Sequence, residues 1–266
     1  MQQVEFYLKK AGYVIARCFM KIILSPAKKM KVDSDSLPPL QLPEYLDKTR
    51  ELMTWLQHKN FTELKTLWKC SDSIAVENMK RLEAMDLTSN LTPAVLAYEG
   101  IAYQYMAPAV FANEHFQYIE DHLRILSGFY GILKPMDGVV PYRLEMQARG
   151  EINGIKNLYD YWGNSLYEAL GDQVIINLAS KEYSKCIEKY LTKADKYITI
   201  DFCEMHKGKL VTKGTYAKMA RGEMVRFMAE NAIEEPEKIQ KFDRLGYKFR
   251  EDLSDNNKYV FERAGK

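Results

Sequence analysis

Between His122 and Met146 the chain reads HLRILSGFYGILKPMDGVVPYRLEM, a mostly apolar run broken by three glycines, two prolines, two tyrosines and three basic side chains. Such a run is too heavily punctuated to be one long helix or one long strand. Gly128 and Gly131 allow positive φ and close approach of a second backbone or a ligand, while Pro135 and Pro141 fix φ and end regular structure. Arg124, Lys134 and Arg143 add fixed positive charge, so the segment reads as a binding surface more than a connector.

The flanking chain supplies short strands and amphipathic helices. Ile22, Ile23 and Leu24 form a buried-strand signal stopped by Ser25-Pro26, and Val174 to Ile176 form another, followed by Ser180 at a helix N-cap with Lys181 and Lys185 one turn apart. AVLAYEG, after Thr92-Pro93, reads as a third strand of this kind. Helices are expected over 44–57, from a cap at Ser71 to Met85, from Glu114 onward, and from the Leu158, Tyr159, Tyr161, Trp162 cluster to a C-terminal cap at Gly171. Tyr197 to Phe202 returns through Lys207-Gly208 to Leu210 and Val211 as a hairpin, and Tyr247 to Phe249 pairs with Tyr259 to Phe261 around 255–257. The pattern predicts one mixed α/β (α+β) domain over 20–266, a mixed sheet flanked by helices. Residues 1–19 are expected to be an N-terminal extension before a start at Met20, their apolar stretch being too brief for a signal peptide.

TYAKMARGEMVRFMAEN, capped by Thr215, is expected to be a helix with Tyr216, Met219, Ala220, Phe227 and Met228 on its core face. Lys218, Gly222 and Arg226 fall at i, i+4 and i+8 with Arg221 beside them. A glycine inside a helix costs about 1 kcal/mol against alanine, so Gly222 needs a reason. Close approach of a phosphate backbone is one, and tight helix packing is the other.

Composition narrows the class of partner. In 266 residues, 47% hydrophobic and 28% charged, no stretch approaches the roughly 20 apolar residues of a membrane span, and a cytoplasmic location is expected. With 38 basic and 36 acidic residues the net charge is +2, so a polyanion must meet a local basic patch. Cys18, Cys70, Cys186 and Cys203 form no CxxC, and His58, His115, His122 and His206 show no HExxH or ExxH spacing. We therefore expect no structural zinc, no disulfide framework, no di-iron bundle and no cofactor.

KIILSPAKK, AYEGIAY, HLRILSGFYGILKP with PYRLEM, LYDYWG, INLASKEYSK and AKMARGEMVRF occur here in the order of the bacterial YaaA peroxide stress family, which the chain resembles from Met20 to Arg263. The resemblance implies a cytosolic protein of the hydrogen peroxide response that limits unincorporated iron. It also implies a helix-hairpin-helix-like element and a positively charged cleft for duplex DNA, bound without sequence preference. That hairpin matches best at Leu126, Ser127, Gly128, Phe129, Tyr130 and Gly131, although Pro135 follows four residues later and would break the second helix.

Two functional readings follow. In a DNA-binding stress protein, Ser25, Lys28, Arg124, Ser127, Gly128, Tyr130, Gly131, Arg143, Ser180, Lys218, Arg221, Gly222 and Arg226 converge on one concave surface. In an enzyme acting on a nucleotide or damaged nucleobase, the same groups form a compact anion site, with Lys28, Tyr130, Tyr142 or Glu145 as acid, base or nucleophile. Arg143 and Glu145 alternate on an extended segment and so share a face, where they serve a ligand or simply pair with each other. Iron storage is disfavoured, because no recognisable ligand spacing occurs.

Overall fold

A computed structural model describes residues 20–33 and 35–264, so the expectation for residues 1–19 lies outside the described residues. An eight-stranded mixed sheet runs through the chain in the spatial order Tyr247–Phe249, Lys258–Arg263, Tyr197–His206, Val174–Asn177, Met20–Leu24, Leu123–Ser127, Gly131–Leu133, with Lys209–Val211 paired to the end of Tyr197–His206. The five middle strands are parallel, and the two outer strands and Lys209–Val211 are antiparallel. Met20–Leu24 and Val174–Asn177 are apolar runs because helices and loops cover both faces, and Ile22, Ile23, Leu24, Val174, Ile175 and Ile176 are all buried, whereas Tyr197–His206 alternates between buried and half-buried residues from Tyr197 to Phe202.

The chain leaves Met20–Leu24 to build its next parallel neighbour, Leu123–Ser127, on one side, and later builds Val174–Asn177 on the other. Strand order therefore reverses at Met20–Leu24. In open parallel sheets the loops that leave the carboxyl ends of two such strands diverge and leave a crevice for a ligand.

Four expectations need correction. Leu126 to Gly131 is not a helix-hairpin-helix: Leu123–Ser127 and Gly131–Leu133 are antiparallel strands joined by a tight turn, with Gly131 at φ +79°. Ser127 closes that turn by accepting the N–H groups of Phe129 (3.1 Å) and Tyr130 (2.9 Å) on its hydroxyl. AVLAYEG is not a sheet strand either, because Ala94–Ala97 forms a helical turn and Tyr98–Glu99 pairs with Lys29–Met30 outside the main sheet. The stretch expected as one helix up to Gly171 is two, Leu158–Trp162 and Ser165–Glu168, broken at Gly163. The long helix spans Gly214–Glu230 with Lys213, not Thr215, at its N-cap, and buries Ala217, Ala220, Gly222 and Met224 rather than Tyr216 and Met219.

The reason for that rotation is the partner helix Ile101–Met106. An added Cβ on Gly222 would strike the carbonyl of Ala102, so the glycine lets the two helices meet backbone to backbone. Tight packing, not phosphate approach, accounts for Gly222. A helix at Phe61–Trp68 was not expected from hydrophobic period alone, yet its signature is present: Asn60 accepts from Glu63 N–H while Glu63 accepts from Asn60 N–H, a complete capping box.

Candidate anion site at the strand reversal

A cavity of about 410 Å3 opens where the fold predicts one, at the carboxyl ends of Met20–Leu24 and Val174–Asn177. Its floor is tied together by the two serines that end those strands. Ser25 Oγ accepts the N–H of Ser180 at 2.8 Å and lies 3.2 Å from Ser180 Oγ, while the Tyr103 hydroxyl donates to the Ser25 carbonyl at 3.1 Å. Buried Asn177 shapes the second strand's exit by accepting the N–H of Ala179 at 2.9 Å.

The 142–145 segment forms another wall, and the glycine hairpin sets its position. A Cβ at Gly128 would meet the Leu144 carbonyl at 2.5 Å, so only glycine lets the segment lie on the hairpin turn. Tyr142 Oη lies 2.6 Å from Ser127 Oγ and 2.9 Å from Tyr98 Oη, all buried. Because Ser127 Oγ already accepts two N–H groups, its own proton points to Tyr142. Burial pushes the Tyr142 phenol up to about 12, and those of Tyr98, Tyr103 and Tyr183 higher than usual as well. Tyr142 is thus a neutral wall of the cavity, poorly suited to be a base near pH 7.

The structure brings Ser25, Lys28, Tyr142, Arg143, Glu145, Ser180, Lys218 and Arg221 to this cavity. It sends the other predicted groups elsewhere. Ser127, Gly128, Tyr130 and Gly131 are buried beneath it; Tyr130 Oη accepts the Val140 N–H at 3.1 Å, and Gly128 gives its carbonyl to Trp162 Nε1 at 3.1 Å. Arg124 donates to the carbonyls of Glu120 and Leu123 and lines a separate hollow with Asp137. Arg226 is held by Glu230 at 2.7 Å. One concave surface therefore collects some of the basic groups but not all. The sequence missed Glu182, Tyr103 and Tyr183, which also line the cavity. Glu182 was visible as the acidic residue in the first turn after Ser180, among the lysines that drew attention.

Most of the cavity's cations already have partners. Lys28 Nζ is 2.8 Å from Glu145 Oε2, and Arg143 reaches Glu145 Oε1 at 3.4 Å and the Trp68 carbonyl at 3.3 and 3.4 Å. Lys29 pairs with Glu99 at 2.9 Å. Arg143 and Glu145 thus hold each other and the loop. Lys218 and Arg221, one turn apart on the Gly214–Glu230 helix, have no carboxylate within ion-pair distance among the described residues. Lys218 is exposed at the rim, whereas Arg221 is mostly buried and its Nε has no acceptor among the described residues. Burial works against the Arg221 charge; the charge opposing this is that of Asp201, already paired with Lys258 at 3.0 Å. A guanidinium stays ionised under such conditions, so the cavity holds a permanent cation that calls for an anion.

Among the described residues no three His, Cys, Asp or Glu side chains converge as for a metal ion, and no helix is long and apolar enough to cross a membrane.

Over residues 20–253 the sequence matches the family described as peroxide stress protein YaaA. It is 69% identical over 246 residues to a UPF0246 protein of Agathobacter rectalis, covering 92% of this chain and 99% of the relative. It is 56% identical over 247 residues to a UPF0246 protein of Desulfitobacterium hafniense, covering 92% and 98%, and 54% identical over 244 residues to one of Lactiplantibacillus plantarum, covering 91% and 98%.

Proposed function

The chain belongs to the peroxide stress protein YaaA family, and from that premise we propose that it serves the peroxide response by binding the phosphate of a nucleic-acid ligand in the cavity at the strand reversal. The observation that carries this reading is Arg221, a mostly buried cation with no carboxylate within ion-pair distance among the described residues, open to a cavity in which Lys28, Lys29 and Arg143 are neutralised by carboxylates. Arginine offers the forked donors that suit a phosphate, and Lys218 one turn earlier adds charge at the rim. Duplex DNA is the polymeric form of that ligand. Exposed Lys218 at the mouth favours it, with Lys28 and Lys29 available there only by exchanging Glu145 and Glu99 for phosphate, and such phosphate contacts are independent of sequence.

The phosphate need not come from a polymer. An enzyme acting on a nucleotide in the same cavity is the second reading, favoured by the two carboxyls Glu145 and Glu182 that share it. Titrating duplex DNA and mononucleotides into the purified chain over a range of salt separates the two. We expect Arg221→Ala to weaken binding of either ligand by tenfold or more, and Lys218→Ala to lower the salt slope for DNA by about one unit. Unchanged affinity in Arg221→Ala would overturn the reading.

A further inference from the structure

We infer that the anion held at Arg221 belongs to a guanine nucleotide, whose base is recognised by Glu182 across the cavity. The inference rests on the phosphate reading above and adds the chemistry of the other end of the ligand.

Glu182 is the counterpart of Arg221 in having an unmet demand. It lines the same cavity, and its Oε1 accepts the Gln147 N–H at 3.2 Å, with no Lys, Arg or His within ion-pair distance among the described residues. The residue is held in place, since the Tyr159 hydroxyl donates to its backbone carbonyl at 2.8 Å. Burial is the largest influence raising its carboxyl above the usual range; Glu145 adds to this, and Lys28 and Lys69 oppose it. A half-buried carboxylate with spare lone pairs needs N–H or O–H donors. One cavity therefore presents an anion site on the Gly214–Glu230 helix and an acceptor site on the Lys181–Glu188 helix.

Among nucleobases, guanine alone carries a ring N–H and an amino group side by side on one edge, matching the two oxygens of a carboxylate. Adenine and cytosine set a donor beside an acceptor, and uracil and thymine set one N–H between two carbonyls that repel a carboxylate. Tyr103 and Tyr142 supply flat apolar wall for a purine, and a cavity of about 410 Å3 is of small-ligand size. Free guanine nucleotides and unpaired guanines of a DNA strand share this chemistry.

Calorimetric titration of the full chain at pH 8 with GMP, IMP, AMP and inorganic phosphate tests the inference. IMP differs from GMP only in lacking the amino group. We expect GMP to bind at least tenfold more tightly than IMP or AMP, and Glu182→Gln to remove that preference while inorganic phosphate binding is retained. A wild-type chain that binds GMP and IMP equally overturns the inference without needing any variant to fold. If phosphate or duplex DNA still binds in an Arg221-dependent manner in that case, the phosphate reading survives; if Arg221→Ala changes no affinity, that reading fails as well. An oligothymidylate carrying one central guanine, compared with free GMP, distinguishes the strand from the free nucleotide as the source.

Discussion

Gly222 and Ala102 meet backbone to backbone, the missing side chain of one accommodating the carbonyl of the other. Propensity alone would make Gly222→Ala stabilising by up to about 1 kcal/mol. The contact reverses that sign, because the helices must separate to admit a methyl group, and overpacking of this kind costs about 1–3 kcal/mol. Urea unfolding should show a lower midpoint for Gly222→Ala with an unchanged slope. A higher midpoint would mean the two helices are not in this contact.

Arg221 should behave in the opposite way to a residue kept for stability. Replacing it with Met keeps the packing of the stem and removes a desolvated charge that has no close partner among the described residues, so unfolding free energy should not fall by more than about 0.5 kcal/mol. Phosphate binding should be lost. A large loss of stability in Arg221→Met, seen by chemical denaturation without ligand, would show that its charge is satisfied within the fold.

Glu145 is expected to be structural first. It holds Lys28, whose side chain is 63% exposed, and Arg143, which is 11% exposed. Most of the effect should therefore come from Arg143, since the exposed pair is screened by solvent. Glu145→Gln should cost about 1–2 kcal/mol, and a double-mutant cycle with Arg143→Met should recover part of that cost. Full additivity in the cycle would contradict the pairing.

Asp137 should make stability fall as pH rises through its window. Burial pushes its carboxyl up to about 6, against bonds from Gln41 Nε2 (2.7 Å) and the Lys134 N–H (2.8 Å) that lower it. The native state therefore binds the proton more tightly than the unfolded chain, whose carboxyl titrates near 3.8. The stabilisation is complete below about pH 4 and is lost by about pH 6, with an upper bound of about 3 kcal/mol for a shift of some two units. Asp137→Asn should flatten this part of the stability profile, measured by urea unfolding between pH 4 and 7.

Local patterns reached furthest where the local signal and the tertiary environment agree. The apolar runs before Ser25 and after Gln173 are strands because nothing else buries every side chain of so short a segment, and Lys207-Gly208 turns a hairpin because both residues take positive φ. The peroxide stress family was legible in the motifs themselves. By contrast, AVLA suits a buried helical turn as well as a strand, and only its neighbours chose the helix.

The site divides along the same line. From the residues alone, Ser25, Lys28, Arg143, Ser180, Lys218 and Arg221 are available for a site, and the glycine-rich turn admits close approach of a backbone or a ligand. Which of them converge is settled by the fold, because strand order fixes where the loops after Leu24 and Asn177 diverge and no local pattern encodes strand order. It also decided that the glycines of 128–131 and Gly222 admit protein backbone and side chains rather than phosphate. Arg143 and Arg221 look alike in sequence, but Glu145 two residues on and the distant Trp68 carbonyl make one a loop anchor, while the other has an Nε without an acceptor among the described residues.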